Sequence, residues 1–392
     1  MTTTLADVAA RARVSPATVS RVLNGNYPVA AATRERVLRA VDELDYVLNG
    51  PASSLAAATS DLVGILVNDI ADPFFGIMAG AAQSEIGGER GAREKLAVVC
   101  NTGGSPEREL TYLTLLQRQR AAAVILTGGA LEDPGHAAAV AAKLRRLAEA
   151  GTRVVLCGRP PVSWPGEGTA AGAGSGGTGA GAGAGPGGPV ASAGAGVGSG
   201  GPVAGAGAAS GGPVAATLTF DNRGGSQRLT EHLLALGHRR VGYIAGPEER
   251  TTTRHRLEGH RAALAAVGAA PGPVVHGSYD RRSGYDATLE LLRRDPELTA
   301  VVAANDTVAL GACAALRDRG LAIPGDVSVA GFDDLPFSMD AVPALTTVRL
   351  PLCEAGARAG RLAMGKEPVP PGGIATVHGE LMVRGSTGRA RA

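Results

Sequence analysis

Nine short apolar runs, each about one β-strand long and separated by helix-patterned stretches, constrain this chain more than any other feature. LVGILV (62 to 67), LAVVC (96 to 100), AAVILT (122 to 127) and RVVLC (153 to 157) are separated or followed by helical stretches such as 75 to 90, 107 to 119 and 136 to 150. Runs without polar alternation suit strands covered on both faces, and intervening helices join such strands in parallel. The rhythm then repeats. ATLTF (216 to 220), RVGYIAG (240 to 246), PVVHG (273 to 277), AVVAAN (300 to 305) and VSVAGFD (327 to 333) alternate with helices at 224 to 236, 254 to 267, 284 to 294 and 307 to 319. The pattern predicts two similar α/β lobes with parallel sheets.

Ahead of the lobes, residues 4 to 24 (TLADVAARARVSPATVSRVLN) form two short helical patterns joined by a turn. Leu5, Val8 and Ala9 fall at helical spacing, Ala12-Arg13-Val14 turns the chain, and Ser15 caps a second helix whose first residue is Pro16. This is a helix-turn-helix. Its second helix suits the DNA major groove, leading with its N-terminal residues and backed by Thr18, Ser20 and Arg21. Residues 33 to 46 open on a Thr cap and place Val37, Val41 and Leu44 on one helical face, enough to close a small all-α core. Asn49 to Thr59 is short and Ala-rich, a helix expected to form only when a partner orders it.

Between the lobes, residues 166 to 213 hold 21 Gly, four Pro and a single charge, Glu167. Such a segment cannot bury enough apolar surface to offset its ordering entropy, so a flexible insert is expected. The resulting division is a head (1 to 48), a hinge (49 to 60), a first lobe (61 to 162 plus about 349 to 380), the insert (163 to 215) and a second lobe (216 to 348 plus about 381 to 388).

Net charge is only +2, and residues 1 to 60 carry six Arg against five acidic residues, so charge gives little support for nucleic-acid binding. Placement gives more, because Arg11, Arg13, Arg21, Arg34, Arg36 and Arg39 all fall in the head. Cys100, Cys157, Cys313 and Cys353 are far apart, as expected for buried thiols in a reducing compartment. No apolar run approaches 18 residues and the N-terminus has no secretory pattern, so the cytoplasm is expected. There is no G-x-S-x-G elbow, phosphate-cradling G-x-x-x-x-G-K motif, H-E-x-x-H or metal-ligand spacing, so neither catalysis nor a metal or cofactor is expected.

TLADVAARARVSPATVSRVLNG, TRERV, LDY and NGPASSLA, then DPFF, CNT with PERE, GHRRVGYIAGP, RLEGHRAAL, AANDTVALGA, GDVSVAGFDD, PALTTVR and VRGST occur in order along nearly the whole chain outside the insert. This series resembles the LacI/GalR family of bacterial transcription regulators. The resemblance implies a helix-turn-helix head, a hinge helix and a periplasmic-binding-protein-like core of two Rossmann-like lobes. It also implies a homodimer that binds a palindromic double-stranded operator, most simply as a repressor, under control of a small-molecule effector such as a carbohydrate. An activator, or a solute-binding protein, would use the same lobes.

Carried over by motif, the DNA-contacting positions are Thr4, Ser15, Pro16, Ala17, Thr18, Ser20, Arg21 and Asn24 in the head and Asn49, Ala52 and Leu55 in the hinge. Pro16 and Ala17 occupy the positions that choose the operator, where they offer only apolar contact, so Arg21 gains weight in base readout. Ser15, Thr18, Ser20 and Asn24 are expected mainly on phosphates. Leu55 would wedge into the minor groove and kink the duplex. Effector contacts carry over to Asp72 and Phe74 in DPFF, Thr252 and Arg256 before LEG, Asn305 and Asp306 in AND, and Asp333 in GFDD. Where many members have an acid after the fourth strand, this chain has Cys157-Gly158-Arg159, and Arg159 there would favour an anionic ligand. Trp164 is placed beside the cleft entrance, and with 3% aromatic residues few stacking platforms are expected beyond Phe74 and Phe332.

Overall fold

A computed structural model describes residues 3–24, 28–44, 46, 60–87, 95–162 and 215–391. The hinge with Asn49, Ala52 and Leu55, the insert and Trp164 all lie outside the described residues, as does the side chain of Asn24.

The head is built from α1 (Leu5–Ala12), α2 (Pro16–Asn24) and α3 (Ala31–Glu43). Thr4 and Asp7 close a capping box on α1, each satisfying the other's backbone N–H. Arg13, at φ 55, makes the left-handed turn that ends α1, and the Ser15 hydroxyl accepts from the Thr18 N–H at 3.2 Å to start α2. Val8, Ala9, Ala12, Val19, Val22, Val37 and Ala40 fill the core. The Thr33 cap does not occur: α3 starts at Ala31, three residues before a Thr33 cap would place it, because the exposed Ala31 and Ala32 are strong helix formers that extend it by most of a turn.

The first lobe is a six-stranded parallel sheet: β1 (Leu62–Val67), β2 (Leu96–Asn101), β3 (Ala123–Thr127), β4 (Arg153–Cys157), β5 (Ala216–Phe220) and β11 (Ile374–Val377), in the order β11-β5-β4-β3-β1-β2. It is flanked by α4 (Pro73–Ile86), α5 (Pro106–Arg118), α6 (Pro134–Glu149) and α12 (Leu352–Met364). The second lobe is a four-stranded parallel sheet, β7-β6-β8-β9, made of β6 (Val241–Ala245), β7 (Val274–His276), β8 (Ala300–Ala303) and β9 (Ser328–Ala330). With it go α7 (Asn222–Ala235), α8 (Thr251–Ala266), α9 (Arg281–Arg294), α10 (Asp306–Asp318) and the short α11 (Phe337–Asp340). An antiparallel pair, β10 (Thr347–Arg349) with β12 (Glu380–Met382), lies on the return crossings between the sheets. The expected α/β architecture of two parallel-sheet lobes behind an all-α head is what the chain adopts.

One boundary moves. The run 216–220 was expected to open the second lobe, but β5 pairs with β4 on one side and β11 on the other, so it belongs to the first. Two of the four thiols also depart from expectation, since Cys100 is half-buried and Cys353 exposed, while Cys157 and Cys313 are buried. α12 lies close on α4 because Gly356 and Gly360 face its backbone; a Cβ at Gly356 would sit 2.4 Å from the Met78 carbonyl oxygen.

Candidate functional site

The loops that leave the C-terminal ends of the parallel strands of both lobes converge on one cleft of about 280 Å³. Asn68 follows β1, Gly103 β2, Gly128 β3, Gly158 β4, Pro247 β6, Ser278 to Asp280 β7, Asn305 β8 and Asp333 β9. Strand ends in open α/β sheets are where ligands bind, because loops from several strands converge there on a common crevice.

Six of the seven predicted effector residues line this cleft: Asp72, Phe74, Thr252, Arg256, Asn305 and Asp333. Thr252 and Arg256 are four residues apart on α8 and so share a face. Arg256 is buried and fixed from three sides. Its Nε donates to Asn222 Oδ1 at 2.8 Å, its Nη1 to the Ala304 carbonyl and its Nη2 to Asp333 Oδ1 at 2.7 Å, while its carbon centre lies 3.8 Å over the Phe332 ring. Burial alone would lower the guanidinium's pKa, and Asp333 beside it, together with Tyr279 and Tyr243, more than offsets that. Asp333 reaches the pair from a backbone at φ 99, a conformation that side chains other than glycine rarely adopt. Asn305 accepts from the Val308 N–H at 2.8 Å and so caps α10 while its residue faces the cleft.

Asp72 is the N-cap of α4: one carboxylate oxygen accepts from the Phe74 N–H at 3.0 Å. Burial pushes its carboxyl up to about 6, with the nearby charges of Asp333 and Asp69 adding to the rise and the Phe74 hydrogen bond and Arg256 opposing it. An ionised Asp72 accepts hydroxyl hydrogen bonds more strongly than a protonated one. Affinity for a hydroxyl-bearing effector is therefore expected to rise as pH increases from 5 to 7, measured by calorimetry; a flat profile would exclude Asp72 as an acceptor.

Asp306 is the exception. It is fully buried outside the cleft, where Oδ2 accepts from the Leu335 N–H and the Ser338 hydroxyl, both at 2.8 Å, and Oδ1 accepts from the Thr347 hydroxyl at 2.6 Å. Three of its roughly four lone-pair directions are engaged in tying α10 to the 335–347 segment, and its burial keeps a ligand from the fourth. Arg159 also departs from expectation. It is buried against Glu109, with His136 on the same carboxylate, and lines a separate small cavity beside α6. Burial would raise the Glu109 carboxyl, but Arg159 and His136 hold it below its usual range. The anion-binding role foreseen for Arg159 in the cleft is thus removed.

Sequence reasoning missed Tyr279, Phe75, Phe220, Asn68, Asn222 and Arg250, all of which line the cleft. The low aromatic content misled: Phe74, Phe75, Phe220 and Tyr279 converge here, and Phe74 meets Phe75 and Phe220 edge-on at centroid distances of 5.0 and 6.1 Å. Phe332, foreseen as a platform for the ligand, lies instead beneath Arg256.

In the head, Ser15, Pro16, Ala17 and Arg21 are exposed along α2, and Thr18 and Ser20 are half-buried beside them. Thr18 and Ser15 share a hydroxyl hydrogen bond of 2.9 Å, and Thr4 is engaged in its capping box. The exposed edge of α2 is therefore short and mostly apolar, with one guanidinium.

Residues 4–49 match the family described as "Bacterial regulatory proteins, lacI family", and residues 230–387 match a "Periplasmic binding protein-like domain". The HTH-type transcriptional regulator GalS of Salmonella typhimurium is 32% identical over 363 residues, covering 92% of this chain and 89% of that protein. The chain belongs to the LacI family of bacterial transcriptional regulators. Among solved structures, a transcriptional regulator CelR–cellobiose complex is similar at 29% identity and TM-score 0.60, covering 98% of this chain and 99% of the other. The lac repressor dimer bound to operator and an anti-inducer shares the fold at TM-score 0.71, 24% identity, and 99% and 100% coverage. In this LacI-family regulator the matched head carries the helix-turn-helix and the matched lobe carries Arg256, Asn305 and Asp333. No helix among the described residues is long and apolar enough to cross a membrane.

Proposed function

We propose that this regulator is a cytoplasmic repressor that binds a palindromic operator as a homodimer and changes its operator affinity when a carbohydrate occupies the interlobe cleft. The carrying observation is the make-up of that cleft. Hydroxyl-binding side chains (Asp72, Arg256, Asn305, Asp333) stand beside aromatic rings suited to a sugar face. Cellobiose in the similar CelR complex supports the same ligand class. A second copy is supported by apolar side chains left exposed on edge strand β2 (Leu96, Val98, Val99) and on the second lobe (Met339, Val342). Two heads are also what the short reading edge of α2 requires, since Pro16, Ala17 and Arg21 alone specify few base pairs.

The mechanism is a shift of population. A ligand that contacts both lobes favours one arrangement of them, and the arrangement that sets the two heads at operator spacing gains or loses accordingly. Leu55 as a minor-groove wedge, with Asn49 and Ala52 beside it, completes the proposed contact with DNA. The protein acts by binding, with no turnover of its effector.

The test is selection of operator DNA from a random pool, followed by a sugar screen for altered binding. If no sugar changes operator affinity, the carbohydrate reading fails. On the selected operator, Arg21→Ala is expected to lose about 1–3 kcal/mol, measured by fluorescence anisotropy, and to relax preference at one base pair per half-site. An equal loss on random DNA would reduce Arg21 to a phosphate contact.

A further inference from the structure

The ionic side chains that line the cleft do not balance one another locally. Asp333 and Arg256 neutralise each other as a buried pair. Asp69, Asp72 and Asp280 each accept from a backbone N–H, of Ala71, Phe74 and Ser283. Arg250 is likewise held only by neutral backbone groups, its Nη2 donating to the Gly104 carbonyl at 2.9 Å and its Nη1 to the Gly129 carbonyl at 3.5 Å, and it is the one guanidinium among the described cleft-lining residues without a carboxylate partner. Among the described residues no carboxylate forms an ion pair with it. Glu109 and Glu249 act on it only through space, against the like charge of Arg159, and Glu109 is already bound to Arg159.

The surroundings of Arg250 leave backbone exposed. Gly103 and Gly104 lie at φ 62 and 73, and a Cβ at Gly104 would meet Arg250 Nη2 at 3.0 Å. A Cβ at Gly103 would meet Arg108 Nη1 at 3.2 Å, so a second, exposed guanidinium flanks the same loop. Arg250 is half-buried at the start of α8, and a guanidinium stays charged at neutral pH even where burial lowers its pKa. A desolvated cation with spare donors favours a planar or tetrahedral oxyanion over another neutral hydroxyl.

Building on the carbohydrate reading of the cleft, we propose that the effector is an acidic sugar, with its hydroxyls held by Arg256, Asn305 and Asp333 and its oxyanion, carboxylate or phosphate, bound by Arg250. Asp69, Asp72 and Asp280 then disfavour an anion elsewhere in the cleft, so they set the orientation of the ligand as well as its class.

Calorimetry on the full chain with matched ligands tests this: glucose against glucuronate, gluconate and glucose 6-phosphate, and galactose against galacturonate, with acetate and inorganic phosphate as anions without a sugar. At least one acidic sugar is expected to bind tenfold or more tightly than its neutral parent, and the carboxylate and phosphate arms identify which oxyanion. Arg250→Gln should bring that ratio close to one, and Arg250→Lys should retain part of it. Tighter binding of the neutral member in every pair overturns the proposal and leaves the carbohydrate reading intact. A ratio unchanged in Arg250→Gln overturns the assignment to Arg250, and no binding by any sugar, acidic or neutral, overturns both readings together. Binding of acetate or phosphate as tight as that of the acidic sugars likewise overturns an acidic sugar as the effector.

Discussion

Asp333→Ala is expected to lower the stability of the effector lobes by about 3–5 kcal/mol and to abolish the operator response to effector. Removing one partner of a buried ion pair leaves the other charge without compensation, and Arg256, 3% exposed and held over Phe332, meets too little water to replace Asp333. Urea unfolding followed by circular dichroism measures the first effect, and operator anisotropy with and without effector measures the second. The double variant Arg256→Met with Asp333→Leu separates them. It removes both charges and restores packing volume, so it should recover much of the lost stability while the response stays absent. Recovery should be incomplete, because the Asn222 side-chain oxygen and the Ala304 carbonyl lose their donor. A response retained by Asp333→Ala would remove the pair from the effector site.

Much of this arrangement was legible in the chain because it rests on local signals. Ser15-Pro16 starts α2, Asp72-Pro73 and Ser105-Pro106 start α4 and α5, and the continuous apolar runs mark buried parallel strands. What failed depends on distant partners. ATLTF has the pattern of a strand, yet its sheet is chosen by β4 and β11, the latter more than 150 residues away. Arg159 follows β4 at the position where the cleft is built, but Glu109 on α5 draws it into the first lobe. Aromatic content averaged over the chain concealed a cluster drawn from α4, β5 and the loop after β7. Arg250 left no local signal at all, because its meaning lies in which charges it fails to meet.

Asp306 shows how the same AND sequence serves two ends, and its variants carry the other large effect. Asp306→Ala is expected to cost more than about 3 kcal/mol, since it strands the Leu335 N–H and two hydroxyls in the interior at about 1–3 kcal/mol each before any relaxation. Asp306→Asn should cost far less. An amide oxygen can replace Oδ2 as acceptor for Leu335 and Ser338, and the Thr347 hydroxyl can turn to accept from the amide NH₂. The two proteins should also differ in pH dependence. Burial, with Asp333 nearby, pushes the Asp306 carboxyl from 3.8 up to about 7, against the hydrogen bonds from Thr347, Leu335 and Ser338. Between those values the folded state holds a proton that the unfolded state has released, so this residue's contribution to stability falls as pH rises from 4 to 7. Denaturant midpoints at pH 5 and pH 8 should accordingly drop further for the natural chain than for Asp306→Asn. Equal drops would mean that Asp306 is ionised throughout, and that its three donors, rather than its burial, govern its charge.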